Sequence, residues 1–223
     1  MDVLYFLQEH TRFIRNFHKA AVEPFEMTQL KIRNKEEPFV PRYSEDDEPA
    51  FLAEWSEAET SIQVIGRTCI SLLSNAFKLY LNTWTAQLGI KDKGKKGESP
   101  LDRFRRVLSI HEIHLNWDDC PADGGIVEQV ILARNREQHP EMIGTLSIQH
   151  DQNTLKKYPR PLFINPEELK WLLPSDNDWR GGFLMNPSLH ISSHSLEEAI
   201  CAVELLAMWV DPKLVRAKYA DKH

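Results

Sequence analysis

A helical pattern of apolar residues runs from Pro49 to about Leu88, and no other segment limits the possible folds as much. Pro49 stands where a helix can start, with Asp46, Asp47 and Glu48 near the positive end of its dipole. Gly89 supplies a C-terminal stop. A helix of roughly forty residues is about 60 Å long, so a bend or break is expected near Gly66.

The remaining segments must arrange themselves around that rod. Residues 2 to 22 read as a helix, with Leu4, Leu7, Ile14 and Phe17 recurring on one side and Pro24 marking its end. Residues 34 to 48 are polar, with two prolines, and read as an exposed connection. The stretch KDKGKKGE, 91 to 98, reads as a charged loop in which Lys93 to Lys96 keep the chain solvated. Ser99, Pro100 and Asp102 form a helix start, and Leu101, Phe104, Val107, Leu108 and His111 share a face of the helix that follows. Asp118 to Gly125 reads as a loop leading into a helix that ends near Gln138, because Pro140 disfavours helical geometry at His139.

After Pro140 the pattern changes. Ile143 to Gln149 and Pro161 to Ile164 are strand-like, joined by a basic turn with Lys156, Lys157 and Arg160. Asn165-Pro166 opens a short helix that Pro174 ends, and Asp176 to Pro187 reads as a loop. Ser195 and Glu198 form a capping box for a last helix that runs to about Val210, before Pro212. The expected fold is mainly α. It is a single domain over residues 1–223, a helical bundle with a small β-strand element before the last helix and a strand-containing embellishment at about 141–194.

Composition excludes some functions. The net charge of −6 argues against strong binding of nucleic acid along the whole chain, though a local basic groove remains compatible with it. No apolar run approaches the ~20 residues needed to span a bilayer. The opening MDVLYFLQEHTRF has early acids and no basic stretch, so it reads as something other than a secretion signal. Cys69, Cys120 and Cys201 are far apart and odd in number, which fits a reducing cytoplasm better than a disulfide framework. Cys201 reads as a core thiol on the last helix. His111 and His114, with Asp118 and Cys120 downstream, form at most half a metal site and read better as one core and one surface histidine. Trp171 and Trp179 could stack on bases, but packing is their commoner use.

The segment ARNREQHPE, 133 to 141, follows the apolar run Val130, Ile131, Leu132 and carries more chemistry than a helix end requires. Arg134 and His139 also have looser rivals, since Arg12 to His18, Arg105 to His111 and Arg106 to His111 show similar spacing. Three features set Arg134 apart: Asn135 follows it, its helix is apolar enough to be central, and a proline turns the chain after His139. Arg, then Asn, then His after four intervening residues, on a helical bundle, resembles the HEPN superfamily. The resemblance covers this motif and the helical plan. It does not cover the long helix before the motif or the strand-like region after it.

That resemblance implies a metal-independent endoribonuclease of a toxin or phage-defence kind, with Arg134, Asn135 and His139 catalytic and no cofactor. It also implies a homodimer in which two motifs share a cleft, with an antitoxin or another protein as a further partner. The residue types suit the chemistry. An imidazole with an unperturbed pKa of about 6.5 can take and return a proton near neutrality. A guanidinium offers a planar fork to the charge growing on a phosphate. Arg136, Lys156, Lys157 and Arg160 are candidate contacts for the RNA backbone. On a continuous helix Arg134 and His139 lie about 140° apart, so either the turn at Pro140 or a second subunit must complete the site. The alternative is a non-catalytic helical module that binds protein or nucleotide.

Overall fold

The computed structural model describes residues 2–41, 49–138, 147–172 and 186–220, with side chains through 169 in the third of these segments. Among the described residues there are seven α-helices: α1 Val3–Asn34, α2 Leu52–Gln87, α3 Pro100–Ile110, α4 Gly124–Gln138, α5 Gln152–Lys157, α6 Pro166–Leu172 and α7 Ser193–Ala220, with one 3-10 turn at Trp117–Asp119. The protein is mainly helical. Helices α1, α2, α4 and α7 form the bundle, and α2 touches each of the other three. Helix α1 runs antiparallel to α2, with Gln29 beside Glu59 and Leu7 beside Tyr80. Helix α7 runs parallel to α2, since Ile191, Asp211 and Lys218 meet Gln63, Trp84 and Gln87 in turn.

Several helix ends follow local rules. Gly89 adopts φ 70°, and the N–H groups of Gly89 and Ile90 return to the carbonyls of Ala86 and Thr85 at 3.0 Å each. Ser99 caps α3 by accepting from Asp102 N–H at 3.1 Å, and Leu101, Phe104, Val107 and Leu108 are buried as their spacing predicts. His111 is exposed instead, because the helix ends at Ile110 and its phase no longer applies. Asn165 accepts from Glu167 N–H at 2.9 Å at the start of α6.

Two prolines expected to end helices lie inside them. Helix α1 continues past Pro24 for ten residues, and α7 continues past Pro212 to Ala220. An interior proline forfeits one backbone hydrogen bond and strains the preceding turn, at about 3 kcal/mol. Contacts with α2 offset that cost. Beyond Pro24, Gln29 donates to Glu59 at 3.0 Å and the Arg33 guanidinium lies 5.7 Å from the Trp55 ring centre. Beyond Pro212, Leu214 is buried and Lys218 donates to Gln87 at 2.7 Å. The start of α7 also shifts: Ser192 and Ser195 cap reciprocally at 3.0 Å each, while Glu198 takes no part. Cys201 is exposed beside Glu197 and Arg15 rather than in the core, because Ala199, Ile200, Ala202 and Val203 define the buried side of α7.

The expected strand element is absent among the described residues. Only an isolated antiparallel bridge joins Gln149 to Ser188, and residues 162–164 form bends. Pro159 and Pro161 lack the N–H groups a ladder needs, so this segment pairs by single bonds such as His190 N–H to the Phe163 carbonyl at 3.0 Å. Residues 143–146 of the other expected strand lie outside the described residues. Lys156 and Lys157 end the short helix α5, capped by Asp151, rather than forming a turn.

Helix α2 is unbroken at Gly66, whose small size has another purpose. A Cβ there would stand 2.8 Å from Ile191 Cβ and 3.2 Å from the Ile191 carbonyl oxygen. Ile191 is buried and its N–H donates to Gln63 at 2.8 Å, so it cannot swing aside. Alanine would gain about 1 kcal/mol of helix propensity but incur overpacking of about 1–3 kcal/mol. Gly66→Ala is therefore expected to lower the melting temperature by about 2–6 °C. A variant as stable as the parent would show that the 188–192 segment yields easily.

Candidate functional site

The motif helix α4 begins just after Asp123, whose carboxylate accepts from Gly125 N–H at 2.7 Å. Val127, Val130, Ile131 and Ala133 are buried against the bundle, which fixes the direction of the polar residues that follow. At its far end α4 is pinned twice. The Ser71 hydroxyl of α2 donates to Glu137 at 2.5 Å, and Arg136 Nε donates to the Gln149 carbonyl at 3.0 Å.

Arg134 and Asn135 are brought into contact: Arg134 Nη1 donates to Asn135 Oδ1 at 3.2 Å. Arg134 is half-buried, and its Nε is buried without a hydrogen-bond partner among the described residues. Arg105, which lies over Trp117, likewise has a buried Nε without a partner among the described residues, while four other arginines are committed to acids. Arg15 holds Glu197 and Glu204, Arg12 holds Glu9, and Arg103 and Arg106 hold Asp92. No carboxylate pairs with Arg134 among the described residues. Asn135 is exposed. His139, the third residue of the motif, lies outside the described residues.

The candidate backbone contacts divide. Arg136 is used to tie α4 to the segment at Gln149. Lys157 pairs with Glu128 at 2.5 Å and lies 5.5 Å from the Tyr158 ring centre, so its charge is compensated. Glu128 precedes Arg134 by six residues, about 9 Å along the helix and about 120° around it. The structure therefore does not place Lys157 beside Arg134. Lys156 and Arg160 are exposed.

Sequence reasoning missed two buried polar residues near this helix. Arg67 on α2 is 6% exposed, its pKa is pushed down by burial, and Glu137 partly opposes that. It could have been noticed as a charge beside Gly66, Cys69 and Ile70 on the most apolar part of α2. His150 is buried among Gln129, Ala133, Arg136 and Phe163, with a ring nitrogen 2.8 Å from the Phe163 carbonyl. Burial lowers its pKa, which keeps it neutral and makes it an anchor for the chain returning to α4.

His111 and His114 are both exposed, and among the described residues no three His, Cys, Asp or Glu side chains gather to hold a metal ion. Trp179 lies outside the described residues, and of Trp171 only the backbone, in α6, is described. No described helix is long and apolar enough to cross a membrane. Compared with protein-family models, with curated proteins and with solved structures, the chain matches none.

Proposed function

We propose that this chain is a metal-independent endoribonuclease of the HEPN type, a toxin or phage-defence effector that acts in the cytoplasm as a homodimer. The observation that carries the reading is the Arg134 guanidinium. It stands at the rigid end of a packed helix, touches Asn135, and has no acid to neutralise it among the described residues. A guanidinium with no acid beside it can meet a phosphate with the fork of its Nη donors.

In this reading the 2′-hydroxyl of RNA attacks the adjacent phosphorus while His139 takes its proton. The bond from 2′-oxygen to phosphorus forms and the bond to the 5′-oxygen breaks. The leaving oxygen receives a proton from the His139 of the second subunit. Arg134 donates to the non-bridging oxygens, whose charge grows as the fifth bond forms, and Asn135 steadies the guanidinium. The products are a 2′,3′-cyclic phosphate and a 5′-hydroxyl.

Purified protein incubated with a mixed RNA pool in EDTA is expected to release fragments with 2′,3′-cyclic phosphate ends. Intact RNA across a broad set of sequences would instead favour a non-catalytic module that binds protein or nucleotide.

A further inference from the structure

The loop 91–98 joins α2 to α3, and it is far more ordered than its glycine and lysine content suggests. Arg106 bridges both of its acids, donating to Glu98 at 2.6 and 2.9 Å and to Asp92 at 3.0 and 3.2 Å. Arg103 adds a bond to Asp92 at 3.0 Å and another to its carbonyl. The acids also bind the loop's own backbone, Asp92 accepting from Gly94 N–H at 2.8 Å and Glu98 from Lys95 N–H at 3.0 Å. Gly94 and Gly97 supply the left-handed turns this path needs, at φ 73° and 79°. Arg106 holds both carboxyls down at about 2, so the network persists across the physiological pH range.

The consequence is electrostatic. Both loop acids face inward to arginines, and Asp102 is occupied by the Ser99 hydroxyl at 2.7 Å. Lys91, Lys93, Lys95 and Lys96 are all exposed, and none forms an ion pair among the described residues. Residues 91–106 carry seven Lys or Arg against three Asp or Glu, in a chain whose net charge is −6. A disordered lysine run would lose conformational entropy on binding, whereas this loop is ordered beforehand.

We propose that the 91–98 loop is a preformed binding site for the phosphate backbone of RNA, an extension that holds substrate away from the reacting phosphate. The proposal rests on the ribonuclease reading for its choice of polyanion. Its position sets its role. Ser71, which meets Glu137 near the motif, precedes Gln87 by sixteen residues, or about 24 Å along α2. The loop begins beyond Gln87, so a strand engaged at the motif must reach at least about 24 Å to touch it. A long RNA can therefore engage motif and loop at once, whereas a dinucleotide cannot.

The test compares the parent with a variant carrying Lys91→Gln, Lys93→Gln, Lys95→Gln and Lys96→Gln together, in binding to labelled 2′-O-methyl RNA, which lacks the attacking hydroxyl. Four contacts release about 0.7 counterion each from a single strand, a slope difference of about 3 in log affinity against log salt. With a 20-nucleotide strand, the parent is expected to lose about 50-fold more affinity than the variant between 50 and 200 mM salt. With a dinucleotide, which is too short to join motif and loop, the difference between the two proteins should be far smaller. Equal salt slopes on the long strand overturn the proposal, as does an equal loss on both lengths. Lysine-dependent binding to phosphatidylserine vesicles with no such dependence on RNA also overturns it, in favour of a membrane surface. Cleavage of ordinary RNA is measured alongside. Cleavage with equal slopes defeats the loop site alone, and a lysine-dependent slope without cleavage defeats the ribonuclease reading alone.

Discussion

Arg134→Ala and His139→Ala are each expected to lower RNA cleavage by about 10²-fold or more, with little change in substrate affinity. The two losses have different origins. In the proposed mechanism the imidazole moves a proton in the step that breaks the phosphodiester, and the guanidinium meets charge that exists fully only in the transition state, so its removal should lower kcat more than it raises KM. Arg134→Lys separates charge from shape, since an ammonium retains the charge and loses the planar fork. It should recover only part of the lost rate. Thermal unfolding provides the control, because a simple packing role for Arg134 would lower stability and leave kcat per folded molecule unchanged. Normal cleavage by Arg134→Ala would remove the residue from the site. The Arg136→Ala variant should behave differently: its bond to Gln149 is structural, so its effect should appear in stability first.

Asp211→Ala is expected to destabilise the fold by about 2–4 kcal/mol, the largest stability effect among these variants. Asp211 is 9% exposed where α7 meets α2, and it accepts from Trp84 Nε1–H at 2.8 Å and from Tyr80 OH at 3.1 Å. Tyr80 has the Ala207 carbonyl as a second acceptor at 3.3 Å, whereas the carboxylate is the close acceptor of the Trp84 indole at 2.8 Å. Truncation takes away the acceptor of the indole N–H and leaves Trp84 and Tyr80 around a buried gap. Asp211→Asn keeps an acceptor oxygen and removes the charge, so it should stay within about 1 kcal/mol of the parent at neutral pH.

Burial pushes the Asp211 pKa up, against the opposing effect of the Trp84 and Tyr80 hydrogen bonds. A raised folded-state pKa means that the folded protein binds the proton more tightly than the unfolded chain. The resulting stabilisation is full below the unfolded value of about 4 and is lost as pH rises through the folded value. Asp92 and Glu98 have the opposite shift and lose their contribution as pH falls towards about 2. The difference between the parent and Asp211→Asn stability curves therefore isolates Asp211, and it should widen in favour of Asn as pH rises from about 4. Parallel curves would refute the assignment.

The sequence by itself determined the helical character, the long α2 and the caps at Gly89, Ser99 and Asn165, because each of those is satisfied within three or four residues of its own position. It also marked Arg134 and Asn135, which are neighbours in the chain and touch directly. Tertiary structure decided the rest. Pro24 and Pro212 remain inside helices because contacts with α2, invisible to any local window, outweigh the lost hydrogen bond. Cys201 faces outward because packing chose the side defined by Ala199, Ile200 and Val203. Among the described residues the apolar segments at Phe163 and Ile148 form no ladder: prolines interrupt the N–H row before Phe163, and single bonds from residues 190 and 189 hold the two. At the site, the Ser71–Glu137, Gln149–Arg136 and Glu128–Lys157 contacts join residues 13 to 66 positions apart. Which charges stay free for a ligand and which are consumed within the fold depends on such distant pairs, and chain order alone does not encode them.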